Sequence, residues 1–138
     1  MKIFLDANIL VSVLNKEYPL FTYSSRVLSL TDNSKFQLYT SPLCLAIAFY
    51  FSEKKHGTVM ARHKIKILIE KLRFTTISEK MVFEVEKNKK IHDFEDGLQY
   101  YSAIDSGCKY IVTEDLNDFY FSEIDVLPSR LFLEKYVF

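Results

Sequence analysis

Ile3-Phe4-Leu5-Asp6-Ala7-Asn8-Ile9-Leu10 decides how the rest of the chain is read. Three consecutive apolar residues call for burial on both faces, as in a strand of a parallel sheet. Asp6 ends the run, and Asn8 can cap a helix that carries Leu10, Val11 and Leu14 toward Lys16. A buried strand feeding at once into a helix is how an α/β fold opens.

Outward from this stretch the same alternation continues. Pro19 can open a second helix with Leu20, Tyr23, Val27, Leu28 and Leu30 as its apolar positions, and Phe36 to Thr40 reads as a second strand. Ser41-Pro42 is a cap followed by proline at the first helical position. The helix it starts is apolar all round from Leu43 to Phe51, which predicts a central place. Gly57 breaks the chain before a basic amphipathic helix over 58–72. Phe74 to Ile77 predicts a third strand, Ser78 to Val85 a helix, and Asp93 the cap of another that stops at Gly107. Tyr110-Ile111-Val112 predicts a fourth strand, Ile124-Asp125-Val126 a short fifth, and a last helix runs from Ser129. Strands interleaved with helices predict a three-layer α/β/α sandwich around a mostly parallel sheet of four or five strands. With no repeat and no linker, residues 1–138 read as a single domain.

Composition narrows the function. The 18 basic and 18 acidic side chains cancel, which argues against a protein that is basic throughout. The charges are segregated, however: residues 1–52 sum to +1, residues 53–90 to +6 and residues 91–138 to −7. Cys44 and Cys108 belong to no CxxC pair and read as buried free thiols. Asp6 interrupts the first apolar run, so no signal peptide is read, and the apolar stretch Leu43–Phe51 is too short for a bilayer. A cytoplasmic protein without a membrane partner is the expectation.

Ligands of open parallel sheets bind beyond the carboxyl ends of the strands. Asp6 follows the first strand, Asp93 and Asp96 start the helix before the fourth, and Asp115 and Asp118 follow the fourth. The 93/96 and 115/118 spacings each put two carboxylates on one face of a helical turn. Converging carboxylates repel unless a cation joins them, and oxygen donors of this kind suit Mg²⁺ or Mn²⁺. Such a metal can activate water for attack on a phosphodiester. Each acid also has a structural use: Asp6 as the beginning of a helix, Asp93 as an N-cap, Asp96 as a capping-box acid, Asp115 or Asp118 as turn residues.

Those residues resemble the PIN domain family. The likeness lies in Ile3 to Leu10, in Asp93-Phe94-Glu95-Asp96-Gly97-Leu98-Gln99-Tyr100-Tyr101, and in Tyr110 to Asp115 with Asp118-Phe119. It implies a metal-dependent endoribonuclease, a hydrolase of RNA phosphodiesters that is toxin-like and, in bacteria, often paired with an antitoxin; homodimerisation is implied too. By this resemblance Asp6, Asp96 and Asp115 are catalytic metal ligands. Asp118 supports the last two or binds through water. Asp93 is an outer member, Thr113 hydrogen-bonds a ligand carboxylate, and Asn8 supports the site. One position departs from the family: the glutamate usual in the helix after the second strand falls at Ile47 or within one residue of it, and no acid lies from Leu43 to Phe51. This departure supports an alternative, a weakened or inactive PIN-fold module that binds RNA or a protein partner.

The basic middle has two readings. Lys54, Lys55, Arg62 and Lys64 could hold RNA phosphates, or they form the solvated face of an amphipathic helix. His56, His63 and His92 lack any paired zinc-ligand spacing, and no glycine-rich nucleotide loop is present.

Overall fold

The computed structural model describes residues 1–138. Five strands form one sheet: β1 (Lys2–Leu5), β2 (Gln37–Thr40), β3 (Arg73–Phe74), β4 (Tyr110–Val112) and β5 (Asp125–Leu127). Their order is β3-β2-β1-β4-β5 and every pairing is parallel. The sheet is therefore wholly parallel, where the sequence predicts a mostly parallel one. Ile3, Phe4 and Leu5 are fully buried, as an apolar triplet at the middle of a covered sheet must be.

The helices are α1 (Ala7–Leu14), α2 (Phe21–Ser29), α3 (Pro42–His56), α4 (Thr58–Lys71), α5 (Glu79–Lys87), α6 (Phe94–Asp105) and α7 (Ser129–Tyr136). The crossovers β1→β2 and β2→β3 step one way across the sheet, and β3→β4 steps back. Right-handed connections then put α5 and α6 on the face opposite α1 to α4. The packing agrees: α1 meets α3, α3 meets α4, α2 meets α7, and α5 pairs with α6. This is the three-layer α/β/α architecture. One core of 23 buried residues runs through it, from Ile3 to Leu133.

Several local expectations are met and some are corrected. Ser41 Oγ accepts from Cys44 N at 2.9 Å with Pro42 in the first turn, and Gly57, at φ +84°, separates α3 from α4. Asn8 is not a cap. Asp6 takes that role, accepting from Ala7 N at 2.8 Å, because an aspartate ending the strand already stands one residue before the helix. Pro19 lies in the turn before α2 rather than at its start. The third strand is two residues at the sheet edge, not four. Helix α3 is not buried all round: Cys44, Ala48 and Ser52 face inward, while Tyr50 and Phe51 are about half exposed. Both cysteines are free and buried. No helix is long and apolar enough to cross a membrane.

Candidate functional site

The carboxyl ends of β1 and β4 lie side by side, since Leu5 pairs with Val112. The residues that follow them meet. Asp6 N donates to Val112 O at 3.0 Å, so the backbone of Asp6 is still held by the sheet. Its side chain is buried and hydrogen-bonded: Oδ1 accepts from Ala7 N, and Oδ2 accepts from Thr113 Oγ1 at 2.8 Å. The Thr113 hydroxyl in turn accepts from Asn8 Nδ2 at 2.9 Å and from Asp115 N at 3.1 Å. Asn8 Nδ2 also reaches Asp115 Oδ2 at 3.2 Å, and Asn8 Oδ1 accepts from Glu114 N at 3.2 Å. One threonine and one asparagine thus tie two acids, remote in sequence, into a single hydrogen-bonded unit.

Helix α6 brings the other acids. Asp93 Oδ1 accepts from Asp96 N at 3.0 Å, the expected cap. The return bond of a capping box is not made, so the Asp96 carboxylate is left for the pocket. Gly97 follows, and it is needed there. A Cβ on it would stand 2.7 Å from Val85 Cγ1 and 2.9 Å from Ile91 Cγ2, so α6 packs against α5 and Ile91 as closely as a glycine allows.

Asp6, Asp96, Asp115 and Asp118 line one cavity of about 380 Å³ with Asn8, Glu17 and Glu95. The remaining walls are Ala7, Val11, Leu20, Ile47 and Phe51. Ile47 therefore lines the same cavity as the acids, from α3. Asp93 and Thr113 stand behind this wall, one capping α6 and the other holding Asp6. Glu17 and Glu95 were outside the set expected from sequence. Glu95 has a sequence signal, its place in the first turn of α6. Glu17 has none, because only the chain's fold brings the turn after α1 over the pocket.

The acids stress one another. Burial pushes the Asp6 carboxyl above its ordinary value, Thr113 and Ala7 pull it down by hydrogen bonding, and Asp115 adds to the rise. Asp96 is raised from 3.8 to about 7, first by burial and then by Asp93, Asp118, Asp6 and Glu95. Asp118 is raised by burial, Asp115 and Asp93, and Glu95 by burial, Asp93 and Asp6. Cys44 Sγ lies 3.7 Å from Asp6 Oδ1, and burial and that charge push the thiol up to about 12, so it stays a neutral donor. A hard divalent cation fits such a donor set, because it offsets both the burial and the repulsion that raise these carboxyls. The acids do not stand close enough in this arrangement for three of them to hold one ion together.

The basic residues are elsewhere. None of Lys54, Lys55, Arg62 and Lys64 lines this cavity. Lys55 and Lys64 donate to the α1 C-terminal carbonyls of Asn15 and Leu14 at 2.8 and 3.0 Å, and Lys54 sits over the Tyr50 ring. Lys64 lines a separate apolar cavity of about 310 Å³ between α1, α2 and α4. Arg62 is exposed.

Comparison with known proteins yields a consistent set. A family model described as PIN domain matches residues 2–117. Ribonuclease VapC1 of Aquifex aeolicus (strain VF5) is 29% identical over 138 residues, which cover 98% of this chain and 95% of that protein. The structure of VapBC2 from Rickettsia felis, bound to a DNA fragment from their promoter, superposes with a TM-score of 0.69 at 22% identity, over 92% of this chain and 97% of the other. Mycobacterium tuberculosis VapC20, a sarcin-ricin loop cleaving toxin, gives a TM-score of 0.66 at 14% identity, over 89% and 98% of the two chains. VapBC-1 from nontypeable Haemophilus influenzae gives 0.69 at 15% identity, over 94% and 99%.

Proposed function

The chain belongs to the PIN domain family, and from that premise we propose that it is a toxin-type endoribonuclease that cuts RNA phosphodiesters with a bound Mg²⁺ or Mn²⁺. What supports the reading is that Asp6, Asp96, Asp115 and Asp118, drawn from three separate stretches of chain, line one cavity at the strand ends. Asp6, Asp96 and Asp115 would hold the cation, with Asp118 joining through water. When bound, that ion supplies an activated water and charge stabilisation at the phosphate. The chain's own residues do the positioning. Thr113 and Asn8 fix Asp6 and Asp115, Asp93 fixes the start of α6, and Asp96 gives up a proton before it can act as a ligand. Membership further supports an antitoxin as protein partner, a homodimer, action in the cytoplasm, and residues 1–138 as one domain.

The experiment is cleavage of single-stranded RNA in Mn²⁺ by the wild type and by Asp96→Asn, beside calorimetric titration of Mn²⁺. Cleavage and metal binding that Asp96→Asn reduces at least a hundredfold uphold the proposal. A wild type that neither binds Mn²⁺ at millimolar concentration nor cuts RNA overturns it.

A second reading has a specific observation behind it. Ile47 lines the pocket, at or next to the position where the family resemblance leads one to expect a carboxylate, which favours a module that has lost cleavage and retains binding. Ile47→Glu separates the two. Cleavage that appears only in this variant marks a degenerate nuclease site, and cleavage already present in the wild type excludes that reading.

A further inference from the structure

The acidic cavity has an apolar end. Ile47 and Phe51 stand one turn apart on α3, opposite Val11 on α1, with Leu20 arriving from the turn before α2. Phe51 stays 45% exposed at this wall. Glu17 reaches the same cavity. Its carboxylate is in neither of the protein's two ion pairs, which are Lys71–Asp32 and Arg130–Glu134. Its backbone is pinned: Glu17 N donates to Ser12 O at 3.0 Å, and Glu17 O accepts from Phe21 N at 2.7 Å. The residue before it, Lys16, holds φ +50°, a left-handed conformation that non-glycine residues seldom adopt. A fixed turn thus brings an acceptor outside any ion pair to the same cavity as the Phe51 ring.

Glu17 stands apart from the acids assigned to the metal. The neighbours whose charge Asp96 feels are Asp93, Asp118, Asp6 and Glu95, and Asp6 feels Asp115; Glu17 is in neither group. A phosphodiester placed against those acids carries a base beside it, and an apolar wall with an aromatic ring stacks any base face. A carboxylate selects among bases because it only accepts. Guanine offers two adjacent donors, N1–H and the 2-amino group. Adenine and cytosine set one amino group beside a ring lone pair, and uracil sets one N–H between two carbonyls.

We infer that Val11, Leu20, Ile47 and Phe51 form a subsite for a guanine base of the bound RNA, with Glu17 accepting from its N1–H and 2-amino group. The inference rests on the ribonuclease reading, since that reading places RNA in the cavity. It also gives Ile47 a use: a carboxylate there would put a charge against the base.

The test is NMR titration of the full chain, in Mg²⁺, with guanosine, inosine and adenosine. Inosine keeps N1–H and lacks the 2-amino group. Guanosine is expected to bind about tenfold tighter than inosine, in line with a two-point hydrogen bond to a base edge. Glu17→Gln brings guanosine down to the level of inosine, and Phe51→Ala weakens every nucleoside alike. Both side chains are substantially exposed, so both variants fold. Equal binding of guanosine and inosine, a guanosine preference that survives Glu17→Gln, or no guanosine binding at millimolar concentration overturns the inference. Mapped cleavage of mixed-sequence RNA keeps the two claims separate. Guanosine selectivity without cleavage upholds the subsite and overturns the nuclease; cleavage with no guanine preference does the reverse.

Discussion

Thr113 holds the site together with one hydroxyl. It is fully buried, donates to Asp6 and accepts from Asn8 and Asp115 N. Thr113→Val keeps the shape and leaves those partners unsatisfied, which costs about 1–3 kcal/mol in urea unfolding. Thr113→Ser restores most of it. The Mn²⁺ affinity of Thr113→Val is expected to fall about 10–100-fold by calorimetry, because the Asp6 and Asp115 carboxylates proposed to hold the ion lose their orientation. Asp96 sets a pH dependence. Its folded value, about 7, lies above its ordinary 3.8. Between those values the folded protein holds a proton that the unfolded chain has released. Metal-free stability therefore falls as pH rises from about 4 to 7. Asp96→Asn removes that penalty and raises metal-free stability at pH 8 by about 1–2 kcal/mol, the full shift being discounted for the half-exposed position. Thermal melts at pH 5 and pH 8 check the sign.

Helix α6 is positioned by contact rather than by charge. Gly97 leaves no room for a methyl group against Val85 and Ile91. Gly97→Ala is expected to cost about 1–3 kcal/mol and to move the first turn that carries Asp96, so calorimetry should show weaker Mn²⁺ binding as well as a lower melting point. This helix also shows what was legible in the sequence. Asp93 and Ser41-Pro42 act as read, because a cap is a local hydrogen bond between near neighbours. The strand-end acids were legible too, since a strand's end fixes where the next residue emerges. Three features were not. Asn8 looks like a cap and is instead a bridge to Thr113, 105 residues away. The apolar run in α3 looks wholly buried, yet its outer residues Tyr50 and Phe51 meet solvent, because run length does not say which face the sheet covers. Glu17 enters the pocket only through the packing of one turn over another element, which leaves no periodic trace.

At the scale of the molecule, all five strands share one sheet and one 23-residue core serves both helical layers. Scanning calorimetry should therefore give a single transition with equal calorimetric and van 't Hoff enthalpies. A metal that binds only the folded chain lifts that transition: Mn²⁺ at a hundred times its dissociation constant adds about 2.7 kcal/mol, and NaCl of equal ionic strength adds far less. The central place of β1 has one more consequence, and it concerns time. The strand that carries Asp6 is made well before its partner, because Thr113 follows 107 residues later. At about 5–20 residues per second, ribosomal synthesis leaves β1 waiting roughly 5–20 s for β4. A chain stalled or truncated before Tyr110 carries Asp6 and Asp96 but neither Thr113 nor Asp115. The cell that makes this protein is exposed to no assembled site until Thr113 and Asp115 have left the ribosome.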